Sequence, residues 1–377
     1  MKYSSNEIAE LTALFTEFLQ NYQRPEKEEE RTLAELYLEY LTRICGQGSS
    51  RAFGNKVLIA KRILADIGNQ QISELTTASI ARYLNKWTQR TYFRAGVQHH
   101  YAQSYIDKIY TQLKSVLSMA VDDGIFYTNP MDKVICPISQ APPKDDMPPY
   151  SQKEIQTLLL AFSNDPWFYA QAVILLYTGI RPGELWPLCF TDFDFEKHTV
   201  KIRRALSVER SANLSNFKTS VTKPMIKGLK NEIRGKKNYA RRELFISPIV
   251  ENAVCNLRSF IEQDELWMAK RLRQKTSQYL FAKQDGGLTT PDLYAQHFRQ
   301  KLYSIGLDPK EYVLYRFRHT FCTRLFKELH LDPKTVQRMM GDNSIDIVMR
   351  VYNSINNDDV LAASRRYAQY ADNAYQF

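Results

Sequence analysis

Apolar residues recur at helical spacing along the first part of the chain. The segments TLAELYLEYLTRI, NKVLIAKRILADI, TASIARYLNKWTQR and SYIDKIYTQLKSVLSMAVDDG repeat apolar positions every three or four residues, which predicts amphipathic helices. Thr76 or Thr77 can cap the third helix, and Gly124 follows the fourth. A further helix is predicted within residues 1–28, without an indication of its role. We therefore expect a helical domain over residues 29–136.

A proline-rich segment separates this region from a second domain. Residues 137–149 contain five prolines, which favour an extended, semi-rigid linker. Ser151 and Glu154 then predict a capping box at the start of the next helix. The runs HTVKIRRAL and RRELFIS predict short β-strands, and helices follow them. We expect a mainly α fold with a small antiparallel sheet over residues 150–356, followed by a tail over residues 357–377.

The distribution of charge indicates a polyanionic partner. The 377-residue chain carries a formal net charge of +10, and positions 201–242 hold 13 Lys or Arg residues against two acidic residues. Such a concentration of one sign is typical of a surface that meets phosphate backbones, with most of these side chains holding phosphate. A solvated loop without a partner is the alternative.

Other features argue against metal, cofactor and membrane chemistry. The five cysteines are scattered and form no Cys/His cluster, and the pair His99–His100 has no third ligand nearby, so this pair is predicted to be a solvated loop. The longest apolar stretch, AVILLYTGI, is far shorter than the roughly 20 residues that span a membrane. The N-terminus does not resemble a signal peptide. We expect a cytoplasmic protein without cofactor, metal or membrane partner.

Three short boxes carry candidate chemistry. In TGIRPGEL, Gly179 ends one helix and Pro182 suits the first turn of the next, which places Arg181 at a corner where Glu184 can orient its guanidinium. In FRHTFCTRLF, Arg318 stands at the start of an amphipathic helix. The third box, MMGDNSIDIVMRVY, ends in a tyrosine.

Together with LSMAVDDGIFYTNP, these boxes resemble the tyrosine recombinases of the phage-integrase class, in particular integrases of conjugative transposons and phages of Gram-positive bacteria. The resemblance covers roughly residues 31–365. It implies a helical core-binding domain and a catalytic domain that close as a C-shaped clamp around DNA. It also implies DNA cleavage by a tyrosine that forms a 3′-phosphotyrosyl link and frees a 5′-hydroxyl without ATP or metal.

The resemblance implies a catalytic set of six residues: Arg181, Lys236, Tyr315, Arg318, Asp342 and Tyr352. The tyrosine at the end of the set is the nucleophile, and the two arginines neutralise the nonbridging oxygens of the phosphorane. The lysine protonates the leaving 5′-oxygen. Its identity is open, because the insert before it is longer than usual; Lys237 and Lys218 are the alternatives.

Two positions depart from the family pattern. Tyr315 stands where the family has a histidine, and its phenol can still donate a hydrogen bond. Asp342 stands where the family favours His or Trp, and an ionised carboxylate there would repel the scissile phosphate. Either Asp342 is protonated, or it turns toward a neighbouring base, or Asn343 takes the donor role. His319 is expected to be a packing residue.

Binding partners follow from the same resemblance. On the helix SYIDKIYTQLKSVLS, a polar stripe is predicted to face the major groove or simply solvent: Ser104, Lys108, Gln112 and Ser115. The family implies double-stranded recombination sites as partner, with a homotetramer on DNA and a monomer or dimer without it. A host DNA-bending or directionality factor is a further partner that the resemblance allows. The tail over residues 357–377 packs either on a neighbouring subunit or on its own domain.

We expect site-specific recombination, with integration and excision of a mobile element. A chromosome-dimer or plasmid resolvase that uses the same chemistry is the first alternative. A DNA-binding protein on this scaffold with impaired cleavage is the second, because of Tyr315 and Asp342.

Overall fold

The computed structural model describes residues 31–94, 96–142, 148–229, 240–342, 345, 364–365 and 367–368. Several predictions fall outside these ranges: the helix of residues 1–28, Lys236, Lys237, Asn343, Tyr352 and most of the tail over residues 357–377. The chain divides into two compact units. The first comprises Met1–Lys144 with Arg210–Ser220, and the second comprises Asp145–Glu209 with Val221–Phe377.

The first unit is built from amphipathic helices. Its elements are α1 (Leu33–Arg43), α2 (Ser50–Ile67), α3 (Thr77–Gln89), β1 (Thr91–Arg94), β2 (Val97–His100) and α4 (Gln103–Asp122). Thr32 and Glu35 form a capping box at the start of α1, and Thr76 caps α3 as predicted. The longest helix, α4, contacts the other three and buries Ile109, Leu113 and related apolar side chains against them.

The polar stripe on α4 is only partly available to a ligand. Ser104 and Lys108 are exposed, but Gln112 is 6% exposed and donates a hydrogen bond to the carbonyl of Lys56 at 2.8 Å. The prediction that Gln112 faces DNA or solvent is therefore wrong. The buried amide of Gln112 must find a hydrogen-bond partner, and its bond to Lys56 ties α4 to α2.

A β-hairpin interrupts the predicted run of helices. Strands β1 and β2 pair antiparallel, with Thr91 opposite His100 and Arg94 opposite Val97. The loop predicted at His99–His100 is wrong, since both residues lie in β2, but His99 is exposed to solvent as predicted. Tyr92 packs against His99 and Tyr101, so aromatic side chains stabilise the hairpin where the helical period stops.

The second unit combines helices with short strands. Its helices are α5 (Gln152–Ala161), α6 (Pro166–Thr178), α7 (Pro182–Leu185), α8 (Pro248–Glu262), α9 (Glu265–Arg273), α10 (Pro291–Ser304), α11 (Leu314–Lys327) and α12 (Pro333–Met340). Its strands are β3 (Phe193–Asp194), β4 (Thr199–Ile202), β5 (Ala205–Asn213), β6 (Lys218–Lys227) and β7 (Arg242–Phe245). The predicted capping box of Ser151 and Glu154 is present at α5.

Helix α6 is the centre of this unit. It is apolar on nearly every side and packs against α8 and α11, so it is a core helix rather than a surface one. Strands β3, β4 and β7 form an antiparallel sheet in that order, with Ile202 opposite Arg242. The mainly α fold with small antiparallel sheets is confirmed.

Strands β5 and β6 pair as a separate two-stranded sheet. The segment that joins them belongs to the first unit, where Ala212, Leu214 and Phe217 pack against the helical core. In the ranges that are described, no helix combines the length and apolarity needed to cross a membrane.

Candidate active site

Arg181 is held at the corner between α6 and α7. Gly179 ends α6 with φ at 60°, and the backbone N–H of Gly179 donates to the carbonyl of Leu175 at 3.0 Å. Nη1 of Arg181 donates to Oε1 of Glu184 at 2.8 Å, and the backbone N–H of Arg181 donates to Oε2 of Glu184 at 3.1 Å. The predicted orienting role of Glu184 is confirmed. One carboxylate therefore holds both the backbone and the side chain of Arg181.

Arg318 reaches the same corner from α11. Its side chain is 2% exposed, and its Nη1 donates to the carbonyl of Gly179 at 2.8 Å. A Cβ atom at Gly179 would overlap the ring of Phe321, so the close approach of α11 to this turn requires glycine. The left-handed turn at the end of α6 thus has two effects. The carbonyl of Gly179 accepts a hydrogen bond from Arg318, and the turn places Arg181 at the start of α7.

A second left-handed turn completes the arrangement. Helix α12 ends at Gly341, whose φ is 65°. The carbonyl of Gly341 accepts hydrogen bonds from Nη1 and Nη2 of Arg181 at 3.2 and 3.3 Å. The next residue, Asp342, is 2% exposed. Its Oδ1 accepts from Nη2 of Arg181, and its Oδ2 accepts from Nη2 of Arg318 at 2.6 Å.

Arg181, Arg318 and Asp342 are thus brought together, although they come from three separate boxes. The sequence left three alternatives open for Asp342. The structure fits the one in which its carboxylate turns toward neighbouring basic side chains, which are Arg181 and Arg318. Two guanidiniums that converge on one carboxylate form a site of the size and charge that a phosphate group needs. Asn343, Lys236 and Tyr352 lie outside the described residues, so their predicted roles stay predictions.

Arg242 is a site residue that the sequence reasoning missed. Its Nη2 donates to Oε2 of Glu184 at 2.8 Å, and its Nε donates to the carbonyl of Met339 at 2.8 Å. It also donates to the carbonyl of Ala240 at 2.9 Å. The prediction that the basic run of residues 201–242 mostly holds phosphate is wrong for Arg242, which connects α7, β7 and the end of α12. The signal was available, since adjacent strand residues face opposite sides and one of two consecutive arginines had to point inward.

Two other arginines of the basic run, one exposed and one half-buried, also pair with a carboxylate of the protein. Arg203 and Arg204 both pair with the buried carboxylate of Asp192, Arg203 at 2.5 Å. Their first role is to neutralise Asp192, because a buried carboxylate requires cationic partners; that these residues also hold phosphate stays a prediction. Part of the positive charge of this segment is therefore balanced by carboxylates within the protein.

The charges of the site stabilise one another. Burial lowers the pKa of Arg181, but the charges of Glu184 and Asp342 outweigh burial and raise its pKa above the usual range. Burial would raise the pKa of Glu184, but Arg242 and Arg181 hold it below its usual range. Burial lowers the pKa of Arg242, against the opposing effect of Glu184. Glu184 therefore supplies the counter-charge that stabilises the guanidiniums of Arg181 and Arg242 away from solvent.

The remaining candidates occupy different positions. Tyr315 lies in α11, is 58% exposed, and is close enough for its phenol to contribute to the electrostatics of Arg181. His319 is half-buried on the same helix. Lys218 is exposed at the start of β6, in the segment that belongs to the first unit, whereas the arginines belong to the second. No group of three or more His, Cys, Asp or Glu side chains in the described part of the chain is arranged to hold a metal ion.

We expect Gly341→Ala to lower the free energy of unfolding by about 1–3 kcal/mol. The new Cβ would lie 2.5 Å from Nη1 of Arg242, in a left-handed conformation that alanine disfavours. Thermal unfolding measures this effect. Gly306→Ala is the control, because that glycine is also left-handed but nothing lies within 4 Å of the added atom. Equal losses of unfolding free energy in both variants would show that backbone strain alone is responsible. Arg242 would then move away from the new Cβ without a cost in stability.

Comparison with known proteins places this geometry in a family. The model of the phage integrase family matches residues 150–358. The chain is 23% identical over 298 residues to a tyrosine recombinase XerC-like protein of Caldanaerobacter subterraneus, a match that covers 77% of this chain and 70% of the relative. It is 25% identical over 288 residues to the transposase from transposon Tn916 of Enterococcus faecalis, covering 71% of this chain and 63% of that protein.

Solved structures show the same fold. The Tn1549 transposon integrase in complex with transposon right end DNA aligns over 90% of this chain and 100% of its own, with a TM-score of 0.69 and 21% identity. A lambda integrase tetramer bound to a Holliday junction aligns over 93% of this chain and 88% of its own, with a TM-score of 0.57 and 13% identity. Because the family model spans more than half of the 377 residues, and the two arginine boxes lie inside the match, this chain belongs to the phage integrase family.

Proposed function

We propose that this protein is a site-specific DNA recombinase that integrates and excises a mobile element through a 3′-phosphotyrosyl intermediate. One observation carries the proposal: Nη2 of Arg181 and Nη2 of Arg318 converge on one carboxylate, so two guanidiniums from distant boxes face a single anion position. The sequence relationship to the Tn916 transposase supports a mobile element as the substrate.

The proposed reaction is an exchange of phosphodiester bonds. The phenol oxygen of Tyr352 bonds to phosphorus and releases its proton to water, while the bond from phosphorus to the 5′-oxygen breaks. Arg181 and Arg318 hold the nonbridging oxygens, where negative charge accumulates in the phosphorane. The leaving 5′-oxygen takes a proton from Lys236, with Lys237 as the alternative donor. A 5′-hydroxyl of another strand reverses these steps, so the energy of the broken bond is conserved.

In this scheme, the phenol of Tyr315 donates a hydrogen bond to the bound phosphate. Its exposed phenol on α11 lies near Arg181, which suits a contact with the bound phosphate.

The proposed partner is a double-stranded recombination site bound by several copies of the chain. The net charge of +10 supports a DNA partner. The fold shared with a lambda integrase tetramer on a Holliday junction supports a homotetramer on DNA, with residues 357–377 docking on a neighbouring subunit. Within this scheme, residues 29–136 form the core-binding domain, residues 137–149 the linker and residues 150–356 the catalytic domain. Action on DNA implies work in the cytoplasm, with a host DNA-bending or directionality factor as an additional partner.

A second candidate function has one observation in its favour. Asp342 occupies both arginines, so a protein that binds DNA on this scaffold but cleaves poorly is the competing hypothesis. Covalent capture of DNA distinguishes the two, because only a cleaving enzyme becomes attached to its substrate.

We expect wild-type protein to form a denaturation-resistant complex with nicked duplexes taken from the flanks of its own coding region, and Tyr352→Phe to form none. The nick traps the covalent state, because the short fragment that carries the freed 5′-hydroxyl diffuses away before it can attack the phosphotyrosyl bond. Gel electrophoresis under denaturing conditions measures the complex.

Tyr303→Phe is the matched control, since this tyrosine is exposed on α10 and has no place in the proposed reaction. A covalent band that persists in Tyr352→Phe would assign the nucleophile to another residue. DNA binding without any covalent band from the wild-type protein would favour the binding-protein hypothesis.

A further inference from the structure

Asp342 occupies the position between the two arginines in a specific way. Each of its carboxylate oxygens takes one guanidinium: Oδ1 pairs with Nη2 of Arg181, and Oδ2 pairs with Nη2 of Arg318 at 2.6 Å. The side chain is almost fully buried, so this is not a flexible surface ion pair. The remaining contacts of the arginines point inward, to Glu184 and to the carbonyls of Gly179 and Gly341. Both arginines thus use Nη2 to bind the carboxylate of Asp342, and Nη2 of Arg181 also donates to the carbonyl of Gly341.

A carboxylate in this place resembles a bound phosphate in charge and in the spacing of its two acceptor oxygens. Arginine recognises both groups through the same paired N–H donors. Because Arg318 is buried and its Nη2 donates to Asp342, the carboxylate and a phosphate oxygen compete for the same donor group.

We infer that Asp342 is a built-in competitor of the scissile phosphate, which fills the two-arginine site until DNA displaces it. This inference rests on the proposed function and deepens it. In the free protein, Asp342 supplies the carboxylate partner of Arg318 and a second one for Arg181 beside Glu184. Cleavage begins only when a phosphate placed by the bound DNA outcompetes the carboxylate of Asp342. Cleavage at poorly bound sites is disfavoured, because a weakly held phosphate does not displace Asp342.

The charge balance supports displacement rather than joint occupancy. The site combines three buried or half-buried arginines, Arg181, Arg242 and Arg318, with two carboxylates, Glu184 and Asp342. A phosphate inserted beside an unmoved Asp342 would place two anions within a few ångströms, which costs free energy at low dielectric. When Asp342 turns away, the phosphate takes over both of its ion pairs.

The first test uses inorganic phosphate and no DNA. We expect phosphate to raise the melting temperature of Asp342→Asn in a concentration-dependent way at constant ionic strength, because the emptied site binds it. Wild-type protein should show little such rise, which also controls for unspecific binding to a basic protein. In the double variant Arg318→Lys with Asp342→Asn, phosphate should no longer raise the melting temperature, because one of the two guanidiniums that would bind it has been removed.

The second test measures the rate of covalent capture on the nicked duplex in a single turnover. We expect Asp342→Asn to react about tenfold faster than wild type, because a charge-assisted competitor of the phosphate has been removed. If Asp342→Asn does not fold, Asp342→Ser serves in both tests, since it also removes the charge.

Each result bears on the inference in one direction. Slower capture by Asp342→Asn would show that the carboxylate takes part in catalysis, and an unchanged rate per folded molecule would show a purely structural role; both overturn the inference. Equal phosphate binding by wild type and Asp342→Asn also overturns it. A complete lack of covalent capture in wild type and variant alike would refute the proposed recombinase instead, while the phosphate test still decides whether Asp342 fills the anion site.

Discussion

Arg318→Lys is expected to lower the rate of covalent DNA capture by about a hundredfold or more, while the variant still binds the recombination site. Loss of one donor to an oxyanion costs roughly that factor. Arg318 donates to the carbonyl of Gly179 through Nη1 and to the anion position through Nη2, and the single ammonium group of lysine cannot span both. Single-turnover capture and a gel-shift assay measure the rate and the binding separately.

Arg316→Lys is the matched control for this variant. Arg316 lies on the same helix and is similarly buried, but it donates to the carbonyls of Pro148 and Glu311 and pairs with Glu154. We expect this control to lose stability and to retain the capture rate per folded molecule. If Arg316→Lys and Arg318→Lys slow capture equally, the loss reflects disruption of α11 and not the loss of phosphate contacts.

Glu184→Gln is expected to produce the largest loss of stability, about 3–5 kcal/mol in the free energy of unfolding near neutral pH. The buried carboxylate pairs with Arg181 and Arg242 at 2.8 Å each, and the neutral amide would leave these guanidiniums without that counter-charge. Urea denaturation of wild type and variant measures the difference.

The same pair of proteins should show a characteristic pH dependence. The arginines lower the pKa of Glu184 in the folded state, so its ionised form contributes stability above the pKa of the unfolded chain, roughly 4.3 for glutamate. That contribution is lost as pH falls through the lower folded value. The stability gap between wild type and Glu184→Gln should therefore be full at neutral pH and narrow below about pH 4.5. A gap that is independent of pH would contradict the ionised role of Glu184.

Asp192→Asn is the control for the effect on the active site. Asp192 is also a buried carboxylate between two arginines, Arg203 and Arg204, which lie outside the phosphate site. Both variants should lose stability, but only Glu184→Gln should also slow covalent capture per folded molecule, because it alone releases Arg181. Equal effects on capture would show that general destabilisation explains the result.

Local sequence signals determined much of this protein. Helical periodicity and capping residues located the helices, because these signals act over one or two turns. The break at Gly179 and Pro182 and the placement of Glu184 followed from turn and capping rules in the same way. The boxes around Arg181, Arg318 and Tyr352 were sufficient to indicate the family, which the family match confirmed.

Only the tertiary structure decided which partners the charged residues meet. Strand alternation indicated that one of Arg241 and Arg242 points inward, but the sequence could not reveal that Arg242 pairs with Glu184. Nor could it reveal that Gln112 faces the helical core or that Asp342 joins both arginines, because each contact links segments far apart in the chain. A formal charge does not distinguish an arginine that awaits a phosphate from one already neutralised by a buried carboxylate. That distinction depends on burial and on the approach of distant backbone turns, and it exists only once the chain has folded.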